Sequence, residues 1–191
     1  LIGVRGIGAF FGFGLMALAS RLDPRVSLTI AFSLQGLSGL YMASFNIDMT
    51  FSQVAWAGII QGIGVGMAWV PISVLTFSTL DKRYFGEGTA MYHLIRNVAS
   101  SFFISITVAV VLHTGQISFG NLSSLVTDWN MGLALNFTDQ FIENFDKVTI
   151  KNLTAEVNRQ SLMIGYINSF MLFAIVSFLT IPFLFLIKEK K

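Results

Sequence analysis

Five apolar runs, at about 2–19, 26–45, 53–78, 94–112 and 162–187, dominate this chain of 191 residues. A helix crossing the hydrocarbon core of a bilayer needs about 20 mainly apolar residues. In lipid the backbone must satisfy its own hydrogen bonds, which a helix does within one segment. Each run is therefore expected to form one membrane-spanning helix, and the fold class to be an all-α integral membrane protein. Charged residues make up 12% of the chain and the mean hydropathy is +0.71, whereas soluble domains carry about 25% charged residues. So few charges cannot cover a globule of this size, and lipid is the expected solvent.

The same composition excludes several kinds of function. A net charge of +2 with no basic run outside the last residues gives no footing for nucleic acid. There is no cysteine, and His93 and His113 are too far apart in sequence for a local metal pair. No nucleophile elbow, phosphate-cradling loop or metal-spaced cluster occurs, so an enzyme is not expected. The opening "LIGVRGIGAFFGFG" has no initiator methionine and no signal-peptide flank, and the chain is read as a piece of a longer protein. Its seventeen glycines and three prolines suit membrane helices.

Sorting the charges by connection sets the orientation. If alternate connections share a side, one face holds Arg21, Arg25, Lys82, Arg83, Arg96, Lys188, Lys190 and Lys191. The other holds Arg5, Lys147, Lys151 and Arg159, against six acids. Lys and Arg prefer the cytoplasmic side of short loops. The chain is therefore expected to start outside, cross five times and end in the cytoplasm of a cell's inner or plasma membrane. The long outer segment 113–161 repeats Leu135, Phe137, Phe141, Ile142, Phe145 and Val148 at helical spacing. That spacing predicts an amphipathic helix resting on the membrane surface or on other helix ends, or else capping a pathway. Sequons at Asn121, Asn136 and Asn152 fall in this Asn-, Ser- and Thr-rich segment and are read as chance.

The third run, "WAGIIQGIGVGMAWVPISVLTFSTL", carries the most information. Gly58, Gly62 and Gly66 recur every four residues and form a smooth stripe for close helix packing. Gln61, Val65 and Trp69 run beside the stripe at the same spacing. A glutamine in the middle of a membrane helix needs a partner, water or a cavity. Gln61 and Trp69 thus face a substrate cavity, or Gln61 bonds a neighbouring helix. Pro71 is expected to kink or tilt the helix. In the fourth run Arg96 and Asn97 sit a turn inside. Arg96 either snorkels to the headgroups or pairs with a carboxylate in a gate. No Asp or Glu lies in the middle of any run, so a proton-binding carboxylate is expected outside this piece.

Four motifs in order resemble one family. "LASRLDPRV" is similar to the R-x-D-x-R cytoplasmic turn of major facilitator transporters in their multidrug-exporter form. "IIQGIGVGMAWVPI" followed by "STL" resembles their glycine-rich helix and proline, "TAMYHLIRNVASSFFISI" their arginine-led penultimate helix, and "VNRQSLMIGYINSF" the entry to their final helix. The family is the EmrB/QacA type of drug/proton antiporter. It implies that these are the last five of fourteen membrane helices, with alternating access between two bundles. It also implies export driven by the proton gradient, with no cofactor.

Within that frame, Gly14, Arg21, Asp23, Pro24, Arg25 and Arg96 form the cytoplasmic turn and gate. Arg21 and Arg25 anchor at headgroups, Asp23 bridges to an arginine or caps the next helix, and Pro24 fits a helix start. Gln61, Met67, Trp69, Phe77, Asn97, Phe103, Tyr166 and Phe170 would line the cavity, offering small hydrophobic substrates a soft, adaptable wall. A periplasmic adaptor and an outer-membrane channel would be the partners in a Gram-negative cell, with 113–161 touching the adaptor. Asn168 stands where the family often has an acid, and an amide carries no proton. The function implied is export of hydrophobic or amphiphilic toxic compounds. The alternatives are a dedicated exporter of one metabolite, siderophore or lipid, and a non-transporting sensor or scaffold.

Overall fold

The computed structural model describes residues 2–18, 23–125 and 147–186. Among these residues the chain is helical and has no strand. The helices are α1 (Ile2–Leu18), α2 (Pro24–Ala43), α3 (Phe51–Phe77), α4 (Phe85–Leu125) and α5 (Lys147–Leu186), with a 3₁₀ turn at Lys82–Tyr84 before α4. This is the all-α membrane class expected from the apolar runs. Among the described residues, four segments, Pro24–Ala43, Phe51–Phe77, Lys82–Ser124 and Thr154–Leu186, are long and apolar enough to cross a membrane.

The described part of α1 is 17 residues long, and residues 1 and 19–22 beside it lie outside the described residues. α4 continues on both sides of the window 94–112, and α5 begins well before 162. Arg21, the tail 187–191 and the core of the expected amphipathic helix, Leu135 to Phe145, lie outside the described residues.

Two compact units make up the chain: Leu1–Ser105 with Phe170–Lys191, and Ile106–Ser169. In the first, α3 packs along both α1 and α2. Against α1 the contact is backbone to backbone. A Cβ on Gly62 would strike the Arg5 carbonyl, with the Ala9 nitrogen at 2.9 Å and the Gly8 Cα at 3.0 Å. One turn on, a Cβ on Gly66 would strike the Ala9 carbonyl and lie 3.0 Å from the Gly12 Cα. Gly8 and Gly12 meet the Ile59 and Ile63 carbonyls in the same way from the α1 side. Gly58 stands at the end of this seam, its nearest atom the Arg5 nitrogen at 4.0 Å.

The opposite side of α3 takes α2. Gly64 lies against the Ala31 carbonyl and the Gln35 stem, and the buried Ser38 hydroxyl donates 3.0 Å to the Ala57 carbonyl. Leu28, Ala31, Met67 and Ala68 join Leu184 of α5 in the core. α5 also sends Phe173 and Phe178 onto Gly39 and Gly36 of α2. In the second unit, Gly165 of α5 sits on the Val111 backbone of α4, and Leu162 reaches Gly115.

These pairings fix relative directions. Contacts 8–59 and 62–9 run in step, so α1 and α3 are parallel. Contacts 38–57 and 31–64 run in opposition, as do 36–178 and 39–174. α2 therefore runs antiparallel to α1, α3 and α5, as a chain crossing once per helix requires.

Local signals account for the helix starts. α2 begins with Asp23 at its N-cap and Pro24 in the first turn, where a missing N–H costs nothing. The Asp23 carboxylate makes no capping bond; its backbone carbonyl instead accepts from Val26 and Ser27 at 3.0 and 3.2 Å. α3 begins with the Gln53 side chain accepting from the Thr50 N–H at 2.9 Å. Pro71 is fully buried, and α3 continues through it to Phe77.

Ordinarily Gly→Ala inside a helix gains up to about 1 kcal/mol. At Gly62 the added carbon meets backbone that cannot rotate away, so Gly62→Ala is expected to destabilise the fold by about 1–3 kcal/mol. Gly14 has nothing within 4 Å, and Gly14→Ala is expected to be neutral or stabilising. Equilibrium unfolding in detergent micelles checks both.

Candidate ligand cleft

A cleft of about 210 Å³ opens in the first unit between α2, α3 and α4. α2 supplies Phe32 and Gln35, α3 supplies Val65, Ala68, Trp69 and Ile72, and α4 supplies Tyr92 and Arg96. Each set is spaced three or four residues apart, so each helix turns one face to the cleft. The floor is Ala68, small enough to leave room, beside the core residue Met67.

Arg96 dominates the electrostatics. Its guanidinium carbon lies 4.2 Å from the centroid of the Trp69 ring, well inside cation–π range. The pairing follows from the antiparallel register of α3 and α4. Moving towards the helix ends, Phe77 meets Tyr92 edge-on at 5.7 Å and stacks on Phe85 at 5.7 Å. No carboxylate pairs with Arg96 among the described residues. The one salt bridge found there joins Arg159 to Glu156 at 2.9 Å on the exposed surface of α5. The Gln35 amide and the Tyr92 hydroxyl likewise have no hydrogen-bond partner among the described residues. The cleft thus presents one fixed positive charge, two uncommitted polar groups and apolar walls.

Of the residues singled out in the sequence, the structure brings Trp69 and Arg96 together here. Gln61 is half-buried on α3 but does not line this cleft, and Met67 is a core residue, 7% exposed. Phe77 belongs to the aromatic stack beyond Tyr92. Asn97 is exposed on α4 next to Arg96, and Phe103 is half-buried further along the same helix. Tyr166 is exposed in the second unit, while Phe170 is half-buried in the first. Gly14 is exposed on α1, and Pro24 and Arg25 are half-buried at the start of α2 with the Arg25 Nε enclosed and unpartnered.

Several lining residues escaped the sequence reading. Gln35 carried a usable signal, being a second amide inside an apolar run. Tyr92 sits one turn before Arg96 and could have been paired with it. Val65 stood on the stripe with Gln61 and Trp69, whereas Phe32, Ala68 and Ile72 are ordinary apolar residues whose place in a wall only the helix packing assigns.

The helices and this charged cleft define an all-α, multi-pass membrane protein. No family model and no solved structure matches the chain. It is similar to the multidrug export protein EmrB of Haemophilus influenzae, 24% identical over 149 residues, or 76% of this chain and 29% of the relative. The fatty acid resistance protein FarB of Neisseria gonorrhoeae is 21% identical over 172 residues, 88% of this chain and 34% of the relative. The colistin resistance protein EmrB of Acinetobacter baumannii is 24% identical over 187 residues, 93% of this chain and 36% of the relative. The EmrB-type resemblance carried by the sequence motifs is thus borne out among curated proteins. The chain spans about a third of the length of these relatives, which are export and resistance proteins rather than enzymes.

Trp69 and Arg96 are expected to be energetically coupled. A double-mutant cycle with Trp69→Leu and Arg96→Met should give a coupling of about 0.5–2 kcal/mol in unfolding free energy. Trp56, 62% exposed on the same helix, should show no coupling to Arg96.

Proposed function

We propose that this chain is part of an exporter of hydrophobic or amphiphilic toxic compounds, working by alternating access and driven by the proton gradient. The observation that carries this reading is the similarity to EmrB-type exporters across up to 93% of the chain. The cleft supports it, because a cation beside aromatic and aliphatic walls suits amphiphilic ligands. With no carboxylate at the middle of its apolar runs, this part supplies packing and substrate contacts, and the proton site lies elsewhere in the transporter. The proton gradient takes the place of a cofactor.

The turn around Asp23, Pro24 and Arg25 belongs on the cytoplasmic side, with the chain's first residues outside and its last inside, as the Lys and Arg distribution argues. The segment 113–161 then faces outward, where a periplasmic adaptor and outer-membrane channel would dock. A dedicated exporter of one lipid is the second reading, supported by the similarity to FarB.

Expression of the full-length protein in an efflux-deficient bacterium should raise the inhibitory concentration of several unrelated hydrophobic compounds. A protonophore should abolish the effect. Protection against a single compound would favour the dedicated exporter, and no protection at all would remove both readings. For orientation, a cysteine at Lys82 in a cysteine-free background should resist a membrane-impermeant thiol reagent in intact cells and react once the cells are opened.

A further inference from the structure

We infer that the Ser27 hydroxyl and the Met67 carbonyl form a clasp between α2 and α3 that stands open here, and that its closure bends α3 at Pro71 and narrows the cleft. This goes beyond the export reading and has its physical basis in two buried polar groups that the packing leaves over. The Ser27 side chain is fully buried, and its hydroxyl has no hydrogen-bond partner among the described residues. A buried hydroxyl without a partner is costly, and lipid offers it none. On α3, Pro71 is also fully buried and has no N–H to give the Met67 carbonyl four residues back.

Register brings the two groups face to face. Three turns along α2 from Ser27, the equally buried Ser38 donates 3.0 Å to the Ala57 carbonyl of α3. Eleven residues separate the two serines, and eleven separate Ala57 from Ala68. On antiparallel helices Ser27 therefore stands opposite Ala68 as Ser38 stands opposite Ala57. Between the serines Ala31 lies against Gly64, in step with that register, and Leu28 shares a core cluster with Met67 and Ala68. Ser27 thus faces the stretch of α3 where a carbonyl is short of a donor.

In membrane helices a serine on a neighbouring helix can serve a carbonyl that proline has freed. Here the Ser38 bond is made and its counterpart at Ser27 is not. α3 is held to α2 at Ala57 and Gly64, and beyond them it can lean. Proline supplies the compliance, because it removes one helical bond and crowds the carbonyl before it. Leaning towards α2 brings Ala68 and Ile72 closer to the α2 wall of the cleft, where Phe32 and Gln35 stand. The clasp sets the cleft's width without touching a ligand itself.

The test uses the purified full-length protein in phosphatidylcholine nanodiscs, with nitroxide labels on cysteines at Val26 and Val74 in a cysteine-free background. Both residues are exposed and neither lines the cleft. Pulsed electron paramagnetic resonance reads the distance between the labels, with no substrate or gradient present. Two populations are expected. Ser27→Ala should lose the shorter one, and Ser38→Ala should keep both. Pro71→Ala gives Met67 a donor again and stiffens α3, so it too should lose the shorter population. If Ser27→Ala does not fold, Pro71→Ala carries the comparison. Thermal unfolding adds a second readout. Ser27→Ala should leave the midpoint unchanged or raise it, since it removes an unpaired group, whereas Ser38→Ala should lower it.

A single population in the parent protein would overturn the inference, as would the same two populations in Ser27→Ala and Pro71→Ala. So would a fall in midpoint for Ser27→Ala matching that of Ser38→Ala, which would mark the Ser27 hydroxyl as already bonded. Failure of the export reading shows separately, as loss of protection in cells with both populations intact.

Discussion

Everything in the larger unit hangs on how closely two helices can approach α3. On one side Gly62 and Gly66 let the α1 backbone come within contact distance of the α3 backbone, and Gly8 and Gly12 return the favour. In lipid, apolar side chains gain little by leaving one greasy neighbour for another, so helix association depends on van der Waals contact and interhelical hydrogen bonds. A seam made of backbone on backbone maximises the first. On the other side Gly64 and the Ser38–Ala57 hydrogen bond do the same work for α2. Measured bonds of that kind contribute about 0.6 kcal/mol on average, so the close packing is the larger effect.

The cleft is a consequence of that arrangement. With two sides of α3 occupied by α1 and α2, Val65, Trp69 and Ile72 on a third side are left to meet α4 across a gap. α4 fills the gap with large residues, Tyr92 and Arg96, whose tips meet α3 while leaving a hollow over Ala68. Close packing on one side of α3 and looseness on another let the hollow persist without the bundle losing its frame. The aromatic contacts of Phe77 with Phe85 and Tyr92 hold the α3 and α4 ends together beyond the hollow.

Much of the fold was legible from periodicity and length. Runs of about twenty apolar residues can do little else in lipid than form helices, and the EmrB-type motifs pointed to the relatives that the comparisons found. Helix ends were less legible. The apolar windows 94–112 and 162–187 mark where the chain can sit in hydrocarbon, not where helical hydrogen bonding stops, so α4 and α5 run past them.

The sequence alone determined the kind of solvent, the helical class, the alternation of helix direction and the glycine stripe, because each depends on residue type and local spacing. The tertiary structure alone decided which side chains share a cavity. Gln61 and Trp69 lie two turns apart on α3, but the α4 register put Arg96 over Trp69 and left Gln61 outside, while α2 brought in Gln35. Such a choice depends on the rotation and offset of one helix against another. Those are set by which small residues interlock across the seam, a relation between segments far apart in the chain that no single stretch of sequence contains.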